Sequence, residues 1–300
     1  MLVCALLASV LAAGGCGPPP KRLSPREYFD QATDAFHQER FGTAVEKYGF
    51  LLDQYPLNPF AEEAQLKVAY AQFLEQSYAE AVGAFDDFER MYPLSPHLAF
   101  VTYYRAMCYA KQMRTVDRDQ GVTEKALQYF REVVERYPQS PFAALAREKI
   151  QGCREALAAH ELYVADFYVD WYNAPAAVSR MRGLLQNYRD TKACPLALVR
   201  LEDGFRKAGR EEVASLARKA QEYLDGNREL ASADAAPKSA GNPTPAPADE
   251  AQTPLALLIA ELEKIEVQSS GVASAPEDAK GEGGGSGEAG AVVDREALAR

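Results

Sequence analysis

The residue types that usually carry catalysis or hold metal ions are few and scattered in this sequence. His37, His97 and His160 lie far apart, and none belongs to an HxxxH or HExxH motif, so local spacing supports neither a zinc site nor a His-based triad. Asp117 and Asp119 have the spacing of part of a calcium loop, but the glycine and the final glutamate of such a loop are out of place. We therefore expect no metal, no cofactor and no catalytic site.

The charge of the chain limits its partners. The formal net charge is −10, whereas nucleic-acid-binding proteins neutralise phosphates with clustered Lys and Arg. Anionic lipid surfaces also repel an acidic chain. We expect no nucleic-acid partner, and attachment to a membrane through a lipid anchor only.

The cysteines do not indicate a disulfide framework. Cys108, Cys153 and Cys194 each fall in a helical apolar pattern, and none has CxxC spacing. Free cysteine is among the most buried residue types. We therefore expect three small buried thiols.

The N-terminus has the pattern of a secretion signal followed by a lipid attachment site. Residues 2–13 form a continuous apolar run, too short to span a bilayer but suited to the core of a signal peptide. The run ends in Ala13-Gly14-Gly15-Cys16, which resembles a bacterial lipobox, although Ala13 stands where Leu is usual and no Lys or Arg precedes the run. We predict a signal peptide at 1–15, a palmitate-type lipid on Cys16 as the mature N-terminus, and a tether at 16–23. The alternative is an ordinary cleaved signal in which Cys16 has no role.

Four segments of the chain end in similar turns. They are Tyr55-Pro56-Leu57-Asn58-Pro59, Tyr92-Pro93-Leu94-Ser95-Pro96, Tyr137-Pro138-Gln139-Ser140-Pro141 and the more degenerate Tyr188-Arg189-Asp190-Thr191. In each complete motif the first Pro closes one helix, Asn or Ser caps the next, and the second Pro occupies the first helical position, where a missing N–H costs nothing. The motif predicts a junction between two helical repeats.

A common core pattern precedes each junction. A small residue stands twelve positions before the closing Pro or its equivalent, and large apolar residues follow four and seven positions later. This spacing lets a helix approach its neighbour closely and then interlock with it, and it is typical of the second helix of a tetratricopeptide repeat. The predicted core positions are Ala44, Tyr48, Leu51, Ala81, Phe85, Phe88, Ala126, Phe130, Val133, Ala177, Met181 and Leu184.

These patterns predict an all-α tetratricopeptide-repeat solenoid of about five helix pairs at 24–224. A capping box at Ser24 to Glu27, with Pro25 in its first turn, opens the array. Ala32 and Ala69 take the small position of the leading helices, and a weaker pair at 195–208 and 210–224 closes the stack.

The repeats are longer than usual. The small core residues lie 37, 45 and 51 residues apart, against an ordinary period of about 34. We place the extra residues in a polar loop at 113–123 and in one long helix from Pro141 to near Trp171.

The segment 225–300 has a different composition. It is rich in Ala, Pro, Gly, Ser and acidic residues, and we predict a disordered tail. Residues 254–267 are the exception, because apolar side chains line one helical face there. We predict a short amphipathic helix for a partner or for the solenoid itself; a transient helix without a partner is the alternative. The apolar residues are Leu255, Leu258, Ile259, Leu262 and Ile265.

Tyrosine is abundant, with 16 residues, and packing in the core is the ordinary role at most of these positions. Tyr70, Tyr103 and Tyr109 fall on leading helices, which line the concave binding side of such stacks. We predict that these three line a groove for extended peptides.

From Cys16 to about Leu224 the chain resembles the BamD family, the tetratricopeptide lipoproteins of the outer-membrane β-barrel assembly machinery. The resemblance rests on the lipid-type cysteine, the Tyr-Pro junctions, Asp117-Arg118-Asp119 in a third-repeat insertion, and Tyr163-Val164-Ala165-Asp166-Phe167-Tyr168 in a long fourth-repeat helix. Trp171 stands where the family usually has Arg.

The resemblance implies an outer-membrane lipoprotein on the periplasmic face, with Gly17 after the cysteine favouring that membrane. Its partners would be the periplasmic domains of a BamA-like insertase, the other Bam lipoproteins, and unfolded outer-membrane β-barrel proteins held by their C-terminal strands. Arg180 matches a family arginine that pairs with an acidic residue of the insertase.

Two other functions stay open at this point. One is a periplasmic tetratricopeptide protein that coordinates envelope constriction or peptidoglycan synthesis, although such proteins usually place the repeats after a coiled coil. The other is a lipoprotein enzyme that uses the repeats as an accessory domain. No residue set in the sequence supports catalysis.

Overall fold

The structure is a computed structural model that describes residues 22–170, 173–233 and 252–269, without the side chains of 170, 228–233 and 269. The predicted signal peptide, Cys16, Trp171 and the rest of the predicted tail lie outside these residues. The described residues form eleven α-helices and no strand. None of these helices is both long and apolar enough to cross a membrane.

The helices follow one another as five pairs and a final single helix. The pairs are α1 (Pro25–His37) with α2 (Phe41–Gln54), α3 (Ala61–Leu74) with α4 (Tyr78–Met91), α5 (Leu98–Ala110) with α6 (Gly121–Arg136), α7 (Pro141–Asp170) with α8 (Ala174–Asn187), and α9 (Ala193–Lys207) with α10 (Glu211–Ala233); α11 (Pro254–Ser269) is last. Each helix packs against the next in sequence, and the leading helices α3, α5, α7 and α9 also contact one another in order. The prediction of an all-α solenoid of helix pairs is confirmed.

The predicted core pattern is also confirmed. None of the twelve predicted core side chains is more than 3% exposed, and Ala32 and Ala69 are fully buried. The predicted capping box is present, since Ser24 Oγ accepts from the Glu27 N–H and the Glu27 carboxylate accepts from the Ser24 N–H. The small-then-large spacing therefore identified the residues that hold each pair together.

Two helices begin later than the junction motif predicts. Asn58 Oδ1 accepts from the Phe60 N–H at 2.7 Å, and Ser95 Oγ accepts from the His97 N–H at 3.1 Å. These bonds close a turn ahead of the helix instead of capping its first residues, so α3 and α5 each start two residues after the expected proline. At the third junction α7 begins at Pro141, as predicted.

Three turns inside helix pairs share one backbone geometry. Glu39, Gln76 and Gly209 have φ of 56°, 66° and 72°, in the left-handed region that favours glycine. The next amide bonds the carbonyl five residues back, as in Arg40 N–H to Ala35 O at 2.9 Å. This is the Schellman ending of a helix, and it reverses the chain within three residues.

The extra length of the middle repeats lies close to where the sequence places it. The loop between α5 and α6 covers 111–120, because α6 already begins at Gly121, whereas we predicted a loop to Thr123. The long helix α7 has 30 residues, or about 45 Å. Its first half packs into a core with α5 and α6 through Cys153 and Leu157, and its second half joins a core with α8 to α11 through Ala165.

The C-terminal end of the solenoid differs from the predicted boundary. Helix α10 continues to Ala233, past Leu224 where we placed the start of the tail, because Asp225 and Gly226 weaken a helix without stopping it. Helix α11 packs on α8 and α10, so the predicted amphipathic segment lies on the solenoid itself.

The apolar face of α11 supplies most of this contact. Leu255, Leu258 and Leu262 are at most 2% exposed. Glu266 forms a salt bridge with Arg182 of α8 at 2.7 Å. This ion pair fixes the direction in which α11 lies on the solenoid.

Candidate functional site

A row of half-buried aromatic side chains extends across four leading helices. Neighbouring rings are in contact along the whole row: the centroids of Phe36 and Tyr70 are 6.1 Å apart, those of Tyr70 and Tyr104 4.8 Å, and those of Phe100 and Phe142 5.7 Å. We call this set the aromatic band. Its members are Phe36 on α1, Tyr70 and Phe73 on α3, Phe100 and Tyr104 on α5, and Phe142 on α7.

The band forms because small residues let the leading helices approach one another. Ala69, Ala71 and Ala106 are fully buried beside it, which leaves the rings of adjacent repeats within contact distance. Burial, together with a hydrogen bond that the Tyr104 hydroxyl donates to Tyr70, raises the pKa of Tyr104, so its phenol stays neutral. The band therefore offers uncharged ring faces with a few hydroxyl groups at their edges.

Only one of the three predicted groove tyrosines belongs to the band. Tyr70 lies at its centre, but Tyr103 is 6% exposed and packs against Phe130 and Phe142, 5.8 and 5.3 Å away. Tyr103 is a core residue, because its side chain points between α6 and α7; this corrects its assignment to the groove.

Tyr109 lies apart from the band. Its ring stacks on Tyr129 of α6 with centroids 5.5 Å apart, and the Lys125 ammonium sits 5.6 Å from the Tyr109 centroid. It is half-buried, so it forms a separate contact between α5 and α6.

The other members of the band were not predicted from the sequence, although one signal was available. Phe36 and Phe73 each stand four residues after the small leading-helix residue, Ala32 or Ala69, and so share its face of the helix. Tyr104 had no such signal, since only packing distinguishes it from its neighbour Tyr103.

A buried arginine fixes the position of α5, which carries two rings of the band. Arg105 is 6% exposed and donates to Asp86 at 2.7 Å and to Glu89 at 2.9 Å, both on α4. Its guanidinium lies 4.4 Å from the centroid of Tyr129 on α6. Glu89 also accepts from Arg136 of α6 at 2.9 Å, so one ionic network joins three helices.

Arg180 lies on α8, where the family resemblance implies a partner contact. Its guanidinium is exposed, and its Nη1 atom is 3.2 Å from the Glu161 carboxylate of α7. Two residues on, Arg182 pairs with Glu266 of α11. The two arginines therefore point to different neighbours, and the packing of α11 leaves Arg180 accessible.

Cys108, Cys153 and Cys194 are buried, as predicted. Burial raises the pKa of Cys108 to about 12 and that of Cys153 to about 11. These thiols are protonated at neutral pH and are poor nucleophiles.

Across the described ranges, no group of three or more His, Cys, Asp and Glu is arranged to hold a metal ion. His160 instead has a structural contact, with its Nδ1 atom 2.7 Å from the carbonyl of Val116. This contact ties the 111–120 loop to α7.

Comparison with known proteins places the helix pairs in a family. Residues 21–220 match the model of the YfiO family, described as outer membrane lipoprotein. A Caulobacter vibrioides protein named outer membrane protein assembly factor BamD is 30% identical over 218 residues, which cover 71% of this chain and 72% of that protein. A Rickettsia prowazekii protein of the same name is 27% identical over 217 residues, 71% of this chain and 86% of that protein.

Among solved structures, the TPR2AB domain of yeast Sti1 in complex with pHSP90 is similar with a TM-score of 0.38 and 14% identity, over 82% of this chain and 98% of that one.

Proposed function

Because this chain belongs to the YfiO family of outer membrane lipoproteins, we propose that it is an outer-membrane protein assembly factor that works as a scaffold and not as an enzyme. Relatives that carry the name outer membrane protein assembly factor BamD match most of the solenoid. The scaffold has three proposed contacts: a lipid anchor in the outer membrane, an insertase, and unfolded barrel proteins.

The aromatic band is the observation that carries the third contact. We propose that it binds the extended C-terminal segments of unfolded outer-membrane β-barrel proteins. Aromatic side chains supply a large contact area and lose little conformational entropy on binding, and an extended strand presents every second side chain to one face. Six adjoining rings on four helices therefore suit an apolar, alternating segment better than a folded surface.

Crosslinking tests this contact. A photo-crosslinking residue in place of Tyr70 or Tyr104 in the full-length protein should capture a C-terminal barrel peptide. The matched controls are Tyr109, which is on α5 but outside the band, and Phe50, an exposed residue of α2. Capture of equal strength at all four positions contradicts peptide binding at the band.

We propose that Arg180 makes the second contact, with a carboxylate on the periplasmic domains of the insertase. A planar guanidinium binds a carboxylate through two parallel hydrogen bonds, a geometry that Lys cannot reproduce. Glu161 holds the Arg180 side chain by one nitrogen, Nη1, which limits the entropy that the side chain loses on binding. The match of Arg180 to the family position supports this assignment.

The first contact, the lipid anchor, also determines where the protein is located. We expect a lipid on Cys16 to hold the protein on the periplasmic face of the outer membrane, beside the other Bam lipoproteins. Several acyl chains on one terminal residue make such anchoring stable, because a single acyl chain binds a membrane only marginally.

A further inference from the structure

Two leucines on successive junction turns are almost fully exposed. Leu57 is 100% exposed and Leu94 is 96% exposed, and both directly follow the Tyr-Pro of their junction. Single exposed apolar residues are ordinary on protein surfaces. A leucine without packing contacts at the same place in two adjoining repeats indicates a shared role.

The turn itself does not require a leucine. The third junction has the same Tyr-Pro-x-Ser-Pro frame as the second, but Gln139 takes the position of the leucine and is likewise exposed. The apolar side chain is therefore confined to the first two junctions, which are the nearest in sequence to the N-terminal tether.

Both leucines lie at the edge of the solenoid where the tether enters. The Tyr55 hydroxyl, in the first junction, donates to the Leu23 carbonyl at 2.9 Å. Ser95 Oγ, in the second junction, donates to Glu62 of α3 at 2.6 Å, which holds the second turn next to the first. Leu57 thus lies on the turn that contacts the start of the described chain, and Leu94 lies on the turn held next to it.

We propose that this edge is a membrane-contact surface, in which Leu57 and Leu94 enter the interfacial layer of the bilayer that anchors Cys16. The inference rests on the lipid anchor of the proposed function. Between Cys16 and Leu23 the tether spans at most about 25 Å even when fully extended, so the edge stays close to the headgroups.

The charges around the edge define the kind of contact. Arg22, exposed at the start of the described chain, is attracted to lipid phosphates, whereas Asp53, exposed beside the first turn, opposes close approach to anionic lipid. The contact therefore depends on the apolar side chains. A domain held only by its tether is free to rotate, and two added apolar contacts fix which side of the solenoid faces the membrane.

The test uses the full-length, acylated protein on vesicles of phosphatidylethanolamine and phosphatidylglycerol. A cysteine placed at position 57, 94 or 139 is labelled with an environment-sensitive fluorophore; labelling is selective because Cys108, Cys153 and Cys194 are buried. We expect blue-shifted emission and quenching by spin-labelled lipids at positions 57 and 94, and neither effect at position 139.

Other outcomes overturn the inference in distinguishable ways. A protein that does not float with the vesicles, or whose N-terminal peptide lacks acyl mass, contradicts the lipid anchor and the contact surface with it. A protein that floats without lipid quenching at 57 and 94 contradicts the contact surface alone, and a blue shift without lipid quenching contradicts it too, because the edge is then covered by another copy of this protein.

A matched pair of variants tests cooperation between the two leucines. Leu94→Gln copies the third junction and should lower the quenching at position 57 by about half, because one of two linked contacts is lost. Leu196→Gln changes an exposed leucine of α9 and should leave the quenching unchanged. An equal effect of both substitutions contradicts the proposed edge.

Discussion

Glu89 shows how a single side chain connects the ionic network between α4, α5 and α6 to stability. Burial raises its pKa, but hydrogen bonds from Arg136 and Arg105 outweigh this effect, and the pKa lies below its ordinary value. A carboxylate whose pKa is lowered in the folded state stabilises the protein at pH values above the pKa of that carboxylate in the unfolded chain. For Glu the unfolded-state pKa is about 4.3. That contribution disappears as the pH falls through the folded pKa.

We therefore expect the melting temperature to fall steeply below about pH 4.3, and to fall less steeply in Glu89→Gln. At neutral pH the same substitution should cost about 1–3 kcal/mol, because it weakens charge-assisted hydrogen bonds. Asp34→Asn, at an exposed position of α1, is the control. Parallel pH profiles for the wild type and Glu89→Gln would contradict this role.

The residue scale is also where the sequence was least informative. Arg105 looks like an ordinary helix-surface charge, because Asp86 and Glu89 belong to another helix and their distance depends on how α4 and α5 pack. Tyr103 and Tyr104 raise the same difficulty, since adjacent positions on a helix differ by about 100° and only the neighbouring helices decide which one is buried.

At the scale of elements, the turns inside the helix pairs contain removable strain. Gln76 and Gly209 occupy the same left-handed position in their turns, but only glycine adopts this conformation without a steric cost. Gln76→Gly should raise the free energy of unfolding by about 0.5–1 kcal/mol. Glu75→Gly, one residue earlier at φ −74°, should lower it instead. Chemical denaturation measures both, and a loss of stability in Gln76→Gly contradicts the assignment of strain.

Helix α11 completes the core of the last two pairs. Leu258→Ala should cost up to about 3 kcal/mol and should increase hydrogen exchange in α11 and in the α8 and α10 segments that it covers. Helices α1 to α6 should keep their protection, because repeats contact mainly their neighbours. Leu257→Ala, at a half-exposed position of α11, is the control. Unchanged exchange in α11 of the Leu258 variant would contradict this packing.

The sequence predicted most elements because repeat spacing and apolar faces are local properties. It predicted α11 from five apolar residues, but not its position on α8 and α10, since both the solenoid and a partner could have covered that face. The starts of α3 and α5 were misplaced for a local reason, because Asn58 and Ser95 bond amides two residues ahead and delay the helix.

At the scale of the whole molecule, the long helix α7 joins the two proposed binding regions. Its first half belongs to the core beneath the aromatic band, and its second half belongs to the core that carries Arg180 and α11. The proposed peptide surface and the proposed insertase contact therefore lie in different repeats of one stack. Simultaneous binding of both partners requires such a separation.

We propose that this scaffold holds an outer-membrane insertase through Arg180. If that pair is desolvated on docking, Arg180→Leu should weaken binding by about 2–5 kcal/mol, which is roughly 30-fold or more. The melting temperature should hardly change, because an exposed ion pair such as Arg180 with Glu161 contributes little to stability. Arg206→Leu, at another exposed arginine paired within its own helix, is the matched control.

The most direct measurement is affinity capture of the full-length protein from native membranes, with the insertase quantified by mass spectrometry. We predict that the insertase copurifies with the wild type and with Arg206→Leu, and is largely lost from Arg180→Leu at an unchanged melting temperature. Equal recovery from Arg180→Leu would contradict the contact, and absence of the insertase from the wild-type capture would contradict the scaffold function itself.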